Sequence, residues 1–185
     1  MKKYKIAVIV GSLRKESYNL KTAKTLIDLA PESLSLKLLD ISKLPMFNED
    51  LEGTPPKEWV TFREEIIAAD GFLFLTPEYN RSVPGVLKNA IDVGSRPYGE
   101  NSWNGKPAGI VSVSIGNISG FGANHHLRQS LVFVNMHTMA QPEAYIGGAG
   151  ALFDDEGKLI NDATKGFLNS FMEAFEEWIV KNAQQ

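Results

Sequence analysis

A doubly wound α/β fold follows from three observations on this chain of 185 residues: a five-stranded parallel sheet in the order 2-1-3-4-5, with helices on both faces. Short apolar runs alternate five times with stretches whose apolar residues recur at helical spacing. One run, Gly71 to Thr76 (GFLFLT), is apolar throughout, as a strand covered on both faces must be. The length suits a single domain over residues 1–185, burying roughly 70% of the extended chain's surface in one core.

The first strand is the run Ile6 to Val10, and Leu20, Ala23, Leu26, Ile27 and Ala30 then mark one face of a helix. Leu34 to Leu39 reads as the second strand. A proline-containing loop, Leu44 to Pro56, leads to a helix with Trp59, Phe62, Ile66 and Ile67 on one face. After the third strand come a loop from Pro77 to Pro84 and a short helix from Val86 to Val93. Ala108 to Ser114 is the fourth strand, followed by a glycine-rich loop, Gly116 to Gly122, and a helix from Ala123 to Phe133. Thr138 to Ala140, continued at Ala144 to Ile146, supplies the fifth strand. The final helix, Ala163 to Asn182, carries Phe167, Leu168, Phe171, Phe175, Trp178 and Ile179 at helical spacing, a stripe that belongs to the core.

Composition excludes several classes of function. A net charge of −3 with no basic run predicts no nucleic-acid or anionic-membrane partner. With no cysteine, there is no disulfide, thiolate catalysis, iron–sulfur cluster or thiolate zinc site. The apolar run that ends at Val10 is too short for a signal peptide, and no segment reaches the ~18 apolar residues of a membrane helix. A soluble, cytoplasmic protein is the expectation.

Two loops carry the chemistry. Gly11 to Asn19 (GSLRKESYN) joins the first strand to the first helix, an arrangement that holds phosphate on free helix N–H groups. Ser12, Ser17 and Asn19 add neutral hydrogen bonds and Arg14 a charge-assisted one. Neither G-x-G-x-x-G nor G-x-x-x-x-G-K-[ST] is present, so the loop suits a single terminal phosphate rather than a dinucleotide or a triphosphate. An ordinary strand-to-helix turn capped by Ser or Asn is the competing reading. The second loop begins PEYNRSVPG: Pro77 and Pro84 stiffen it, Tyr79 offers an aromatic face, Glu78 and Asn80 offer polar groups, and Arg81 follows. Such a loop fits a planar heterocycle with several hydrogen-bonding edges. In the 2-1-3-4-5 order the switch point lies between strands one and three, so both loops flank one crevice. The loop starting at Ser114, with Gly116, closes its far side.

The pair GSLRKESYN and TPEYNRSVPGVLKNAIDVGSRP resembles the NADPH-dependent FMN reductase family, a flavodoxin-like group that includes bacterial quinone, chromate and azo-dye reductases. The likeness continues through Lys106-Pro107 and His126 to Gln129, and so covers most of the chain. It implies bound FMN, with NAD(P)H as hydride donor and a small-molecule acceptor. It assigns Arg14, Lys15, Ser17, Tyr18, Asn19 and Leu20 to the FMN phosphate, Pro77 to Asn80 to the flavin ring, and Ser114 to a further flavin contact. It also implies a homodimer or homotetramer, with Val86 to Val93 and Arg96 near the subunit contact. The loop Asn117 to Gly122 departs from the family's bacterial members. No second nucleotide fingerprint is present, so nicotinamide and acceptor are expected to take turns on one flavin face.

Other constellations carry no chemistry. His125 and His126 point about 100° apart on a helix and do not share a metal. Asp154 to Gly157 reads as a turn rather than a calcium loop. GNISG is not a nucleophile elbow, and no acid–His order completes a triad. Two alternatives stand beside the reductase. A flavodoxin-like electron carrier would carry a stronger acidic surface and ignore NAD(P)H, and a non-catalytic protein of the same fold would stay colourless with FMN.

Overall fold

The computed structural model describes residues 2–183. Its strands are β1 (Tyr4–Val10), β2 (Leu34–Leu39), β3 (Gly71–Thr76), β4 (Pro107–Val113), β5 (His137–Thr138) and β6 (Ala144–Ile146). Its helices are α1 (Tyr18–Asp28), α2 (Lys57–Ala68), α3 (Gly85–Gly94), α4 (Phe121–Phe133) and α5 (Asp162–Asn182). All pairings are parallel, in the order β2-β1-β3-β4-β5, with Val8 of β1 between Leu38 of β2 and Leu73 of β3. This is the expected flavodoxin-like sheet, with one difference at the fifth position. Two short strands fill that place: β5 pairs with the start of β4 at Pro107–His137, and β6 pairs with its end at Val113–Ile146. Pro142 lies between them and has no N–H to continue a ladder, so the strand breaks there.

The central strands β1, β3 and β4 read as apolar runs because both faces are covered, while edge strand β2 leaves Ser35, Lys37 and Leu38 exposed. On one face Ile9, Phe72, Phe74 and Ile110 pack with Trp59, Phe62, Leu87, Trp103 and Leu127, beneath α2, α3 and α4. On the other, Ile6, Val8, Leu73, Leu75 and Val111 pack with Ala23, Leu26, Phe171 and Phe175, beneath α1 and α5. Burying one such side chain stabilises the fold by roughly 1.5–3 kcal/mol, so these two layers dominate its energetics. The α5 stripe is core as expected: Leu168, Phe171, Phe175 and Ile179 are buried, and Phe167 and Trp178 pack at its edge. Ile67 departs from expectation. It is 62% exposed, one position (~100° of helix) beyond the buried line Trp59, Phe62 and Ile66.

Two polar side chains hold the long connection after β2. Asn89 of α3 is buried, accepts from Phe47 N–H (2.8 Å) and donates to the Pro45 carbonyl (3.1 Å). Arg96 pairs with Glu52 (2.6 Å) and Glu49 (2.9 Å), fixing the short 3₁₀ turn Glu49–Leu51 against the end of α3. Among the described residues no helix is long and apolar enough to cross a membrane. The loops after β1, β3 and β4 all emerge at the carboxyl end of the sheet, and the site lies there.

Candidate functional site

A crevice of about 380 Å³ opens between the carboxyl ends of β1 and β3, where the strand order reverses. Gly11, Ser12, Leu13 and Arg14 line one wall, and Tyr79, Pro84, Gly85 and Val86 the other. Gly11 sits where the two walls come close. Its N–H bonds to the Leu75 carbonyl (2.8 Å), and a Cβ there would lie 3.0 Å from Leu87 Cδ2 of α3, so Leu87 would have to give by a few tenths of an ångström to admit one.

The first loop turns into α1 on a serine cap. Ser17 is buried and its Oγ accepts from Leu20 N–H at 3.3 Å, as an ordinary capped turn would have it. The N–H groups of Tyr18 and Asn19 have no acceptor among the described residues, so the positive end of α1 stays open. Ser12 Oγ accepts from Arg14 N–H (3.5 Å), while the side chains of Arg14 and Lys15 are exposed and make no ion pair among the described residues. Asn19 is 97% buried on the complement of its 3% exposure; Nδ2 donates to the Val113 carbonyl (3.1 Å) and Oδ1 is a buried acceptor without a donor. Tyr18 stacks on Phe153 (6.1 Å between centroids), and the Leu20 side chain packs into the core. Their side chains pack, while the Tyr18 N–H remains one of the open donors at the helix end.

The second loop is a tight hairpin. Tyr79 and Ser82 exchange both backbone hydrogen bonds (3.1 and 3.0 Å), with Asn80 and Arg81 between them at φ 51° and 64°. Two consecutive left-handed residues are what a type I′ turn requires, and Asn tolerates that region better than most. The N–H groups of Glu78, Asn80 and Arg81 have no acceptor among the described residues. The Glu78 carboxylate, expected from sequence to be an open polar group, is engaged. One oxygen accepts from Arg81 Nη1 (2.8 Å) and the other from Ala123 N–H in the first turn of α4 (3.1 Å). Burial pushes its pKa up, but the Ala123 and Gly122 N–H groups and the Arg81 guanidinium outweigh that and hold it below the ordinary value. Glu78 thereby caps α4, whose own N-cap residue, Gly120, has no side chain to do so.

The third loop follows β4. Ser114 N–H donates to the Ile146 carbonyl (2.9 Å), its carbonyl accepts from Ala149 N–H (3.1 Å), and its Oγ accepts from Gly116 N–H (3.1 Å). Its link to the second loop is direct: a Cβ on Gly122 would lie 3.0 Å from the Arg81 carbonyl. The histidines serve neighbours. His125 Nε2 meets Tyr145 Oη at 3.0 Å and His126 Nδ1 meets Ser82 Oγ at 2.9 Å, and no metal-type cluster occurs among the described residues.

Of the residues expected from sequence, Ser12, Arg14 and Tyr79 line the crevice itself. Lys15, Ser17, Pro77, Asn80, Arg81, Ser114 and Gly116 lie on the three loops around it, and Asn19 in the first turn of α1, all outside its lining. The start of α3 was missed as a wall: Pro84 and Gly85 open a second helix N-terminus onto the same space. The signal was a proline directly before a helix, where its fixed φ favours helix entry.

The model of the NADPH-dependent FMN reductase family matches residues 4–151. A quinone reductase from Pseudomonas putida is 62% identical over 180 residues, covering 97% of this chain and 96% of the relative. A 2-hydroxy-1,4-benzoquinone reductase from Burkholderia sp. is 42% identical, covering 95% of this chain and 96% of the relative. Among solved structures, FerB, a flavoenzyme NAD(P)H:(acceptor) oxidoreductase from Paracoccus denitrificans, superposes with a TM-score of 0.92. It is 42% identical, over 98% of this chain and 100% of that one.

Proposed function

The chain belongs to the NADPH-dependent FMN reductase family, and from that premise we propose an FMN-dependent oxidoreductase that reduces quinones and related acceptors at the expense of NAD(P)H. The observation that carries this reading is the crevice at the switch point, with Arg14 and Ser12 on one wall and the Tyr79 hairpin on the other. The donor set fits a flavin monophosphate. The open end of α1, the unpaired Arg14 and the hydroxyls of Ser12 and Ser17 suit a phosphate, and Lys15 adds positive charge nearby. The unpartnered Oδ1 of Asn19 is a buried acceptor at the same helix end; such atoms are rare unless a donor meets them, and a hydroxyl of the ribityl chain, not a phosphate oxygen, would supply one. Pro77 to Arg81 would hold the ring through free N–H groups and the Tyr79 face, with Ser114 and Gly116 at its far edge.

Bound there, FMN supplies hydride exchange, so that NAD(P)H, a proton and a quinone yield NAD(P)⁺ and a hydroquinone. The chain's own residues do the placing. Arg14 and the α1 N–H groups offset phosphate charge, Glu78 locks the hairpin to α4, and Gly11 sits where the walls come close. No Asp, Glu or His lines the crevice among the described residues, so acid–base catalysis is not part of the reading. The whole chain acts as one FMN-binding domain in the cytoplasm, where NAD(P)H is made, and as a homodimer or homotetramer. A groove of about 700 Å³ between α3 and α4, beside a 90%-exposed Phe133, supports contact with a second copy.

The test is spectroscopic. The purified protein, loaded with FMN if needed, is expected to be yellow, to bleach anaerobically with NAD(P)H and to recover its colour with 2-methyl-1,4-naphthoquinone. A protein that takes up no FMN is a binding protein of another kind, and one that is coloured but indifferent to NAD(P)H is an electron carrier.

A further inference from the structure

We propose that the connection between β4 and α4 forms an apolar lip, built from Ile115, Ile118 and Phe121, that selects acceptors bearing an alkyl or aryl substituent. The proposal rests on quinone reduction at the crevice described above. These three side chains are 71%, 56% and 50% exposed. They occupy the segment Ser114 to Phe121, SIGNISGF, which carries no charge in a chain whose residues are 22% charged. None of the three lines the crevice; the stretch abuts the hairpin that forms one of its walls, and an uncharged, apolar, exposed surface in that place is what the protruding part of a water-shy substrate covers.

The lip adjoins the site and is held rigid. Phe121 lies between Gly120 and Gly122, and a Cβ on these would meet Glu78 Cβ at 3.9 Å and the Arg81 carbonyl at 3.0 Å. The ring hairpin and the lip are therefore in contact. Across the hairpin, Leu13 (52% exposed) and Tyr79 (50%) give the crevice walls the same apolar character. Within the loop, Ser119 N–H donates to the Gly116 carbonyl (3.0 Å) and Ser112 Oγ to the Ser119 carbonyl (2.8 Å). Ser119 and Gly120 are both left-handed, at φ 59° and 74°. The Phe121 ring rests on His125 (4.2 Å) and Tyr145 (5.5 Å), which are themselves joined through the His125–Tyr145 hydrogen bond. So fixed, the loop cannot fold its isoleucines inward, and their exposed surface is standing capacity for an apolar group. Charged or very small acceptors gain nothing from it.

The experiment compares a quinone carrying a ten-carbon chain (2,3-dimethoxy-5-methyl-6-decyl-1,4-benzoquinone) with its chain-free parent, for the FMN-loaded wild type and for Ile118→Ser/Phe121→Ser. The ratio of kcat/KM for the decyl quinone to that for the parent is expected to fall about tenfold in the double variant, the scale of a few lost apolar contacts. Both replaced side chains are exposed, and Ile118→Ser alone serves if the double variant does not fold, with a fall of about threefold expected. FMN content and gel-filtration mass are read on the same samples. An unchanged ratio overturns the lip. A change of oligomeric state in the variant also overturns it, by assigning the patch to a subunit contact. A wild type that reduces neither quinone refutes the functional reading instead, an outcome distinct from either.

Discussion

Arg14 is the residue on which the phosphate assignment turns. It is the one guanidinium lining the crevice, and it makes no ion pair among the described residues. Arg14→Ala is expected to weaken FMN binding by roughly 10- to 100-fold, the worth of a hydrogen bond to a charged group, while leaving riboflavin, which has no phosphate, nearly unaffected. Fluorescence titration of the apoprotein with each flavin decides it. Equal losses for both, or none, remove Arg14 from the phosphate. At this scale the sequence exposed residue types more readily than their commitments. Ser12, Arg14 and Tyr79 were visible because each lies within four residues of the end of an apolar strand run. Glu78 looked equally available, yet one oxygen is held by Arg81 and the other by an N–H 45 positions away, a contact that no local pattern encodes.

The hairpin after β3 and the start of α4 behave as one element because Glu78 joins them. Its folded pKa lies below the ordinary value, so the stability it contributes is present above the unfolded pKa of about 4.3 and disappears as pH falls through the folded one. Glu78→Gln is therefore expected to melt at a lower temperature than wild type at pH 7, with the gap closing as pH drops below about 4. A gap independent of pH would mean that packing, not charge, makes the connection. Most elements were legible from their apolar residues: β3, covered on both faces, is an unbroken run, and β2, half exposed at the edge of the sheet, is still marked by its four leucines. β6 lies where the continuation at Ala144 to Ile146 was expected, whereas β5 is a separate strand at His137–Thr138 rather than Thr138 to Ala140, because Pro142 interrupts the run and two residues carry too little periodicity to fix their bounds. The opening turn of α3 went unrecognised as a crevice wall because proximity to Gly11 arises only once β1 and β3 are side by side.

The loops after β1 and β3 line one crevice, with the loop after β4 joined to the second of them through Glu78, and the chain contains no second nucleotide fingerprint. Initial rates against NAD(P)H at several fixed quinone concentrations are expected to give parallel double-reciprocal lines, each substrate inhibiting competitively with the other at high concentration. Intersecting lines together with an isolable ternary complex would require a second site. The strand order was legible at this scale because five alternating units in one domain leave few arrangements, and the switch point then locates the ligand. The α3–α4 groove was not, because its lining, from Val83 to Val134, is scattered over two helices and reads locally as ordinary amphipathic surface.

The glycine at the end of β1 gives the site an asymmetric tolerance to sequence drift. A methyl at position 11 would lie 3.0 Å from Leu87 Cδ2 and 3.2 Å from its Cβ, so Leu87 would have to give by a few tenths of an ångström beside the wall of Pro84, Gly85 and Val86, while every ligand-facing group stays in place. Its neighbour Leu13 is half in solvent and can be exchanged without moving any backbone. The fit between the walls of the cleft is thus tuned through one absent methyl group, while their chemical lining is free to diversify toward new acceptors.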